Sequence, residues 1–78
     1  MGADEATRRA RELVAQALEV DPDTIAGEAR IAELKGFDSL AYERLVAATE
    51  EELGRDLEPL AMVSVETVAD LGRIIADG

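Results

Sequence analysis

Between Ala6 and Leu18 the apolar residues Ala6, Ala10, Leu13, Val14, Ala17 and Leu18 recur at steps of three and four. That spacing gathers side chains on one face of an α-helix, which a strand cannot do. The period returns at Leu40, Leu45, Val46 and Leu53, and again at Val68, Leu71, Ile74 and Ile75. No alternating pattern competes, so the chain is restricted to helices packed by their apolar stripes.

Breakers separate the stripes. Asp4 and Glu5 suit the positive end of a first helix, expected over Asp4 to Val20. Val20-Asp21-Pro22-Asp23 stops it, because a residue before proline avoids the helical region. From Asp23 to Asp38 the chain has Gly27, Gly36 and only scattered apolar anchors, Ile25, Ile31, Leu34 and Phe37. This predicts a long connection pinned to the core, and such connections in compact domains are usually functional. Ser39 or Asp38 can cap a second helix, which Gly54 ends. Pro59 fits the start of a short third helix through Leu60, Ala61, Met62 and Val63, and Ser64 is expected to cap a last helix running through Glu66 and Thr67. The expected fold is all-α, a small four-helix bundle with a long loop between helices one and two and a short third helix.

At 78 residues the chain is expected to form a single domain, 1–78, with too thin a core to line a deep catalytic pocket as well. It has no cysteine and no histidine, which removes thiol nucleophiles, Ser-His-Asp arrangements, disulfides and the common zinc sites. Asp21 and Asp23 open like a calcium loop, but Ile25 and Ala32 stand where that loop needs oxygen ligands, so no metal is expected. Eight Lys and Arg against eighteen Asp and Glu give a charge of -10. That charge repels nucleic acid and anionic membranes and favours partners with basic surfaces. Acidic Asp4 and Glu5 stand where a signal peptide carries base, and no apolar run reaches the ~18 residues of a membrane span. A cytoplasmic monomer is expected.

The long connection ends at Gly36-Phe37-Asp38-Ser39-Leu40. A serine there has an ordinary explanation as a helix cap. It sits, however, in a longer pattern: Val20-Asp21-Pro22-Asp23-Thr24-Ile25 precedes it, and Glu50-Glu51-Glu52-Leu53-Gly54 and Thr67-Val68-Ala69-Asp70-Leu71 follow. Over nearly its whole length the chain resembles the acyl carrier protein family.

The resemblance implies that a phosphopantetheinyl transferase attaches the 4'-phosphopantetheine group of coenzyme A to Ser39, and that the group's distal thiol holds acyl cargo as a thioester. The sulfur that this sequence lacks would then come with the cofactor, and the protein would be a carrier with no catalytic residues of its own. Asp38 would either cap the helix or help the transferase bind its metal. Enzymes that load and condense acyl or aminoacyl groups would dock along Leu40, Glu43, Arg44, Ala47, Glu50 and Glu51. Cargo would shelter among Phe37, Leu45, Val46, Met62, Val63, Val68 and Leu71.

Two cations depart from the fatty-acid type: Arg44 stands where many such carriers have an acid, and Lys35 where a small or apolar residue is usual. Polyketide or other natural-product synthesis is therefore favoured over fatty acid synthesis. The motif also lacks the paired glycine before serine that is common in peptidyl carriers. An aminoacyl or peptidyl carrier of a non-ribosomal pathway remains an alternative, as does an unmodified acidic helical interaction module in which Ser39 is only a cap.

Overall fold

The computed structural model describes residues 2–77. It contains α1 (Ala3–Leu18), α2 (Ser39–Leu53), α3 (Pro59–Val63) and α4 (Val68–Asp77), an all-α arrangement with a long connection after α1 and a short α3.

The predicted stripe of α1 is buried at Ala6, Ala10, Leu13, Val14 and Ala17, with Leu18 half-buried. Ala15, off that stripe, is buried too, because α1 packs against α4, α2 and the turn Pro22–Thr24. The helix ends two residues before the expected Val20, because Glu19 adopts the left-handed conformation at φ 59. Its N–H donates to the Gln16 carbonyl and the Val20 N–H donates to the Ala15 carbonyl, which satisfies two of the helix's last acceptors.

Where α4 crosses α1, a Cβ on Gly72 would lie 3.1 Å from the Thr7 backbone nitrogen and Cα and 3.2 Å from the Ala6 carbonyl carbon. Only glycine lets α4 lie this close. Leu13, Val14, Leu45, Val68 and Leu71 form the fully buried centre. Thr49 joins them, its hydroxyl donating to the Leu45 carbonyl at 2.8 Å.

The long connection contains two 3-10 turns, Pro22–Thr24 and Ile31–Glu33, and is anchored by buried Ile25 and Ile31. It is also stitched to the start of α4. Ile31 N–H donates to the Glu66 carbonyl at 2.9 Å, Val68 N–H to Ala29 at 3.1 Å and Ala69 N–H to Gly27 at 2.8 Å, with Arg30 and Thr67 paired antiparallel. This pairing holds Glu66 and Thr67 out of the helix, so α4 starts at Val68 and not directly after Ser64, its expected cap. Ser64 instead donates its hydroxyl to the Ala61 carbonyl in α3. The cap is Thr67: its Oγ1 accepts from Asp70 N–H at 3.1 Å, while the Asp70 carboxylate accepts from Thr67 N–H and Glu66 N–H. Those donors, that of Thr67 foremost, hold the Asp70 carboxyl below its ordinary range.

Glu52 in α2 is drawn to α1 by Arg9, whose Nη2 lies 2.7 Å from Oε1. This pair holds the Glu52 carboxyl below the usual glutamate range. Among the described residues no helix is long and apolar enough to cross a membrane.

Candidate functional site

Ser39 is the first residue of α2, and its neighbour explains why its side chain is free for other work. Asp38 has an extended backbone, its Oδ1 accepts from Ala41 N–H at 2.8 Å, and its carbonyl accepts from Tyr42 N–H at 2.9 Å. Of the two cap candidates it is therefore Asp38 that closes the helix, and the Ser39 hydroxyl is not needed for that. Gly36, at φ 87, turns the chain into this junction, and half-buried Phe37 packs against the core to hold it.

Ser39 is exposed at the positive end of a 15-residue helix. The N–H groups of Ser39 and Leu40 fall at the first two helical positions, where no intrahelical acceptor exists, so an anion bonded to the Ser39 oxygen is favoured. The residues fit a phosphate ester on Ser39. Asp38, whose carboxylate already binds a backbone N–H, is a cap and not a source of attraction for such a group.

Along α2, Leu40, Glu43, Arg44, Ala47 and Glu51 are spaced to share one helical face, and all are exposed, Leu40 to 54%. Glu50 lies at the edge of this face, seven residues on from Glu43. It is half-buried, and its Oε2 accepts from Leu57 N–H at 2.8 Å, tying the end of α2 to the connection into α3. Lys35 is exposed beside the same junction.

A cavity of about 200 Å³ opens between α2, α3 and the long connection, lined by Arg30, Ile31, Ala32, Phe37, Tyr42, Leu45, Met62, Val65 and Glu66. Of the residues expected around cargo, Phe37, Leu45 and Met62 line it. Val68 and Leu71 lie wholly within the core, and Val46 packs half-buried against it. Val63 faces outward at 75% exposure, beside Leu60 at 77%. Tyr42, Ile31 and Val65 also line the cavity and were not among the residues expected around cargo. For Tyr42 a signal was available, since it and Phe37 are the chain's only aromatic residues. A second, shallower recess beside Ser39 is formed by Phe37, Asp38, Ser39, Tyr42 and Glu43.

Residues 8–75 match the family described as a phosphopantetheine attachment site. The chain is 34% identical over 71 residues to an acyl carrier protein of Thermosynechococcus vestitus, covering 91% of this chain and 88% of that protein. It is 39% identical over 59 residues to the acyl carrier protein MbtL of Mycolicibacterium paratuberculosis, covering 76% of this chain and 66% of the relative. It is 32% identical over 75 residues to part of the non-reducing polyketide synthase gsfA of Penicillium aethiopicum, covering 96% of this chain but 4% of the synthase. Proteins of this family are carriers, generally without catalysis of their own, that work with synthase and transferase enzymes. The chain belongs to the phosphopantetheine-bearing acyl carrier protein family, and 4'-phosphopantetheine is its prosthetic group.

Proposed function

We propose that Ser39 is the residue that receives the arm, and that residues 1–78 act as a single carrier domain presenting acyl groups to biosynthetic enzymes of polyketide or related natural-product type. The observation that carries this is the division of labour at the helix start: Asp38 caps, and Ser39 stands exposed at the positive end. In attachment, the Ser39 oxygen loses its proton and bonds to phosphorus, while the diphosphate bond to the adenosine half of coenzyme A breaks. When bound, the group supplies a terminal thiol on which acyl cargo is held.

The chain's own residues then position and recognise. The free N–H groups of Ser39 and Leu40 favour the phosphate charge at the helix start. Partner enzymes, the phosphopantetheinyl transferase and the loading and condensing enzymes, meet the exposed stripe of Leu40, Glu43, Arg44, Ala47 and Glu51. A charge of -10 steers basic surfaces toward it and speeds encounter more than it tightens the complex. Arg44 within this stripe supports partners other than those of fatty acid synthesis. The proposed setting is the cytoplasm, where coenzyme A is at hand as donor.

The test is incubation of the protein with coenzyme A, magnesium and a broad-specificity phosphopantetheinyl transferase. Intact mass is expected to rise by one phosphopantetheine, and the rise to vanish in Ser39→Ala. Absence of any gain with several transferases would leave an unmodified interaction module as the better reading.

A further inference from the structure

The chain has a single lysine, and it stands four residues before Ser39. A tight turn fixes its place. Phe37 N–H donates to the Leu34 carbonyl at 3.1 Å and Gly36 between them takes φ 87, which puts Lys35 at the corner of a β-turn. Leu34 and Phe37, the two ends of that turn, are both packed against the core. The lysine at the corner is exposed. Among the described residues it makes no ion pair, whereas Arg8, Arg9, Arg30 and Arg73 each lie against a carboxylate.

Lys35 is also the chemical exception of this sequence. Every other basic side chain is an arginine, whose guanidinium stays protonated, and there is no cysteine or histidine. Hydroxyls need a neighbouring base before they attack an acyl carbon, but an amine needs only to lose its own proton. Lys35 is therefore the one side chain equipped to attack a thioester unaided. Four residues of fully extended chain span at most about 14 Å, and the turn shortens that. A phosphopantetheine arm on Ser39 is of comparable length, and the flexible four-carbon stem of lysine adds to the reach. Two groups joined by a short flexible link meet at an effective concentration on the order of mM.

We propose that Lys35 is an acyl acceptor for the chain's own loaded arm, so that a carrier left waiting for its partner acylates itself. The inference rests on the carrier reading of Ser39. The Lys35 ammonium gives a proton to water, its nitrogen bonds to the acyl carbon, and the carbon–sulfur bond breaks. The departing sulfur takes up a proton and is again a thiol. The product is an amide at Lys35 that thiol exchange cannot reverse, on a carrier whose arm is free to be reloaded. One positive charge beside the Ser39 junction is lost with it.

The experiment loads Ser39 from acetyl-coenzyme A with a phosphopantetheinyl transferase, removes free thioester by gel filtration, and holds the protein at mildly alkaline pH. Hydroxylamine then strips thioesters and leaves amides, and peptide mass locates what remains. Acetyl is expected on the peptide that contains Lys35, in a fraction that dilution of the protein leaves unchanged. Ser39→Ala, given free acetyl-coenzyme A at about 0.1 mM, is expected to show roughly tenfold less. Lys35→Arg is expected to accept the loaded arm and to form no such amide. If no arm is accepted on Ser39, the carrier reading falls and the self-acylation with it. If the arm is loaded but the acetyl group stays on sulfur or is lost to water, with no amide at Lys35, the self-acylation alone is overturned. An amide that forms only at the N-terminus, or in proportion to protein concentration, overturns it equally.

Discussion

Where α4 crosses α1, Gly72 rests against the backbone of Ala6 and Thr7, and neighbouring Leu71 and Val68 are wholly buried. Where α3 faces α2, a cavity lies against Leu45 and Met62, and Leu60 and Val63 stand mostly in solvent. A domain this small has little apolar surface to leave unused. The contrast teaches that stability is concentrated in the α1–α4 seam, while the side that carries Ser39 keeps unfilled space and exposed apolar groups for other molecules.

The contrast can be broken most directly by truncating one residue on each side. Leu71→Ala is expected to cost about 2–5 kcal/mol, and Met62→Ala to fall at or below the low end of that range, because Met62 already borders a void. Urea midpoints measure both, and equal losses would end the distinction. Gly72→Ala is expected to cost about 1–3 kcal/mol, since its Cβ meets backbone that cannot move aside. Its rate of phosphopantetheine transfer, measured on the folded fraction, should stay unchanged. At the helix start, Asp38→Ala is expected to lower stability by about 1 kcal/mol, while Ser39→Ala changes it by less than about 0.5 kcal/mol. A larger effect at Ser39 in thermal melts would show that its hydroxyl supports the helix after all.

Acid provides the mildest test. Asp70 is held low by the Thr67 and Glu66 N–H groups, and Glu52 by Arg9. A carboxyl whose folded pKa is depressed contributes stability that is present above its unfolded pKa and is lost as pH falls through the folded value. The α4 cap and the α1–α2 clamp should therefore weaken as pH drops below about 4. Combining Glu52→Gln with Asp70→Asn should shrink the difference between urea midpoints measured at neutral and acid pH.

Much of this was legible in the sequence because the signals are local. Apolar spacing places the α1 core, Pro59 starts α3, Gly54 ends α2, and Gly36-Phe37-Asp38-Ser39-Leu40 marks the junction. What was illegible depends on distant partners. Ser64 and Thr67 are both cap residues by type; the Asp70 carboxylate three residues on favours Thr67, and the pairing of Thr67 with Arg30 keeps the residues before it out of the helix. Glu52 looks like any outer glutamate until Arg9 is seen opposite it. The cavity lining was blurred for the same reason, since helical spacing marks Val68 and Leu71 as apolar without telling core from cavity wall. Tyr42, polar at one end and placed near the surface, fell outside that test.

The stitching of the long connection to residues 66–69 has a consequence for the order of folding. The Ile31–Glu66 hydrogen bond closes a loop of nearly half the chain, whereas the turns of α1 and α2 need only their own neighbours. Contacts of long sequence separation bear the entropy of closure and tend to form late. Arg30, Ile31, Val65 and Glu66, which wall the cavity, are thus expected to assemble after the helices, and hydrogen-exchange pulses should find Ile31 N–H protected later than the amides of α1. A ribosome-bound chain lacking its last quarter would carry Ser39 without the shelter that gives the serine its context.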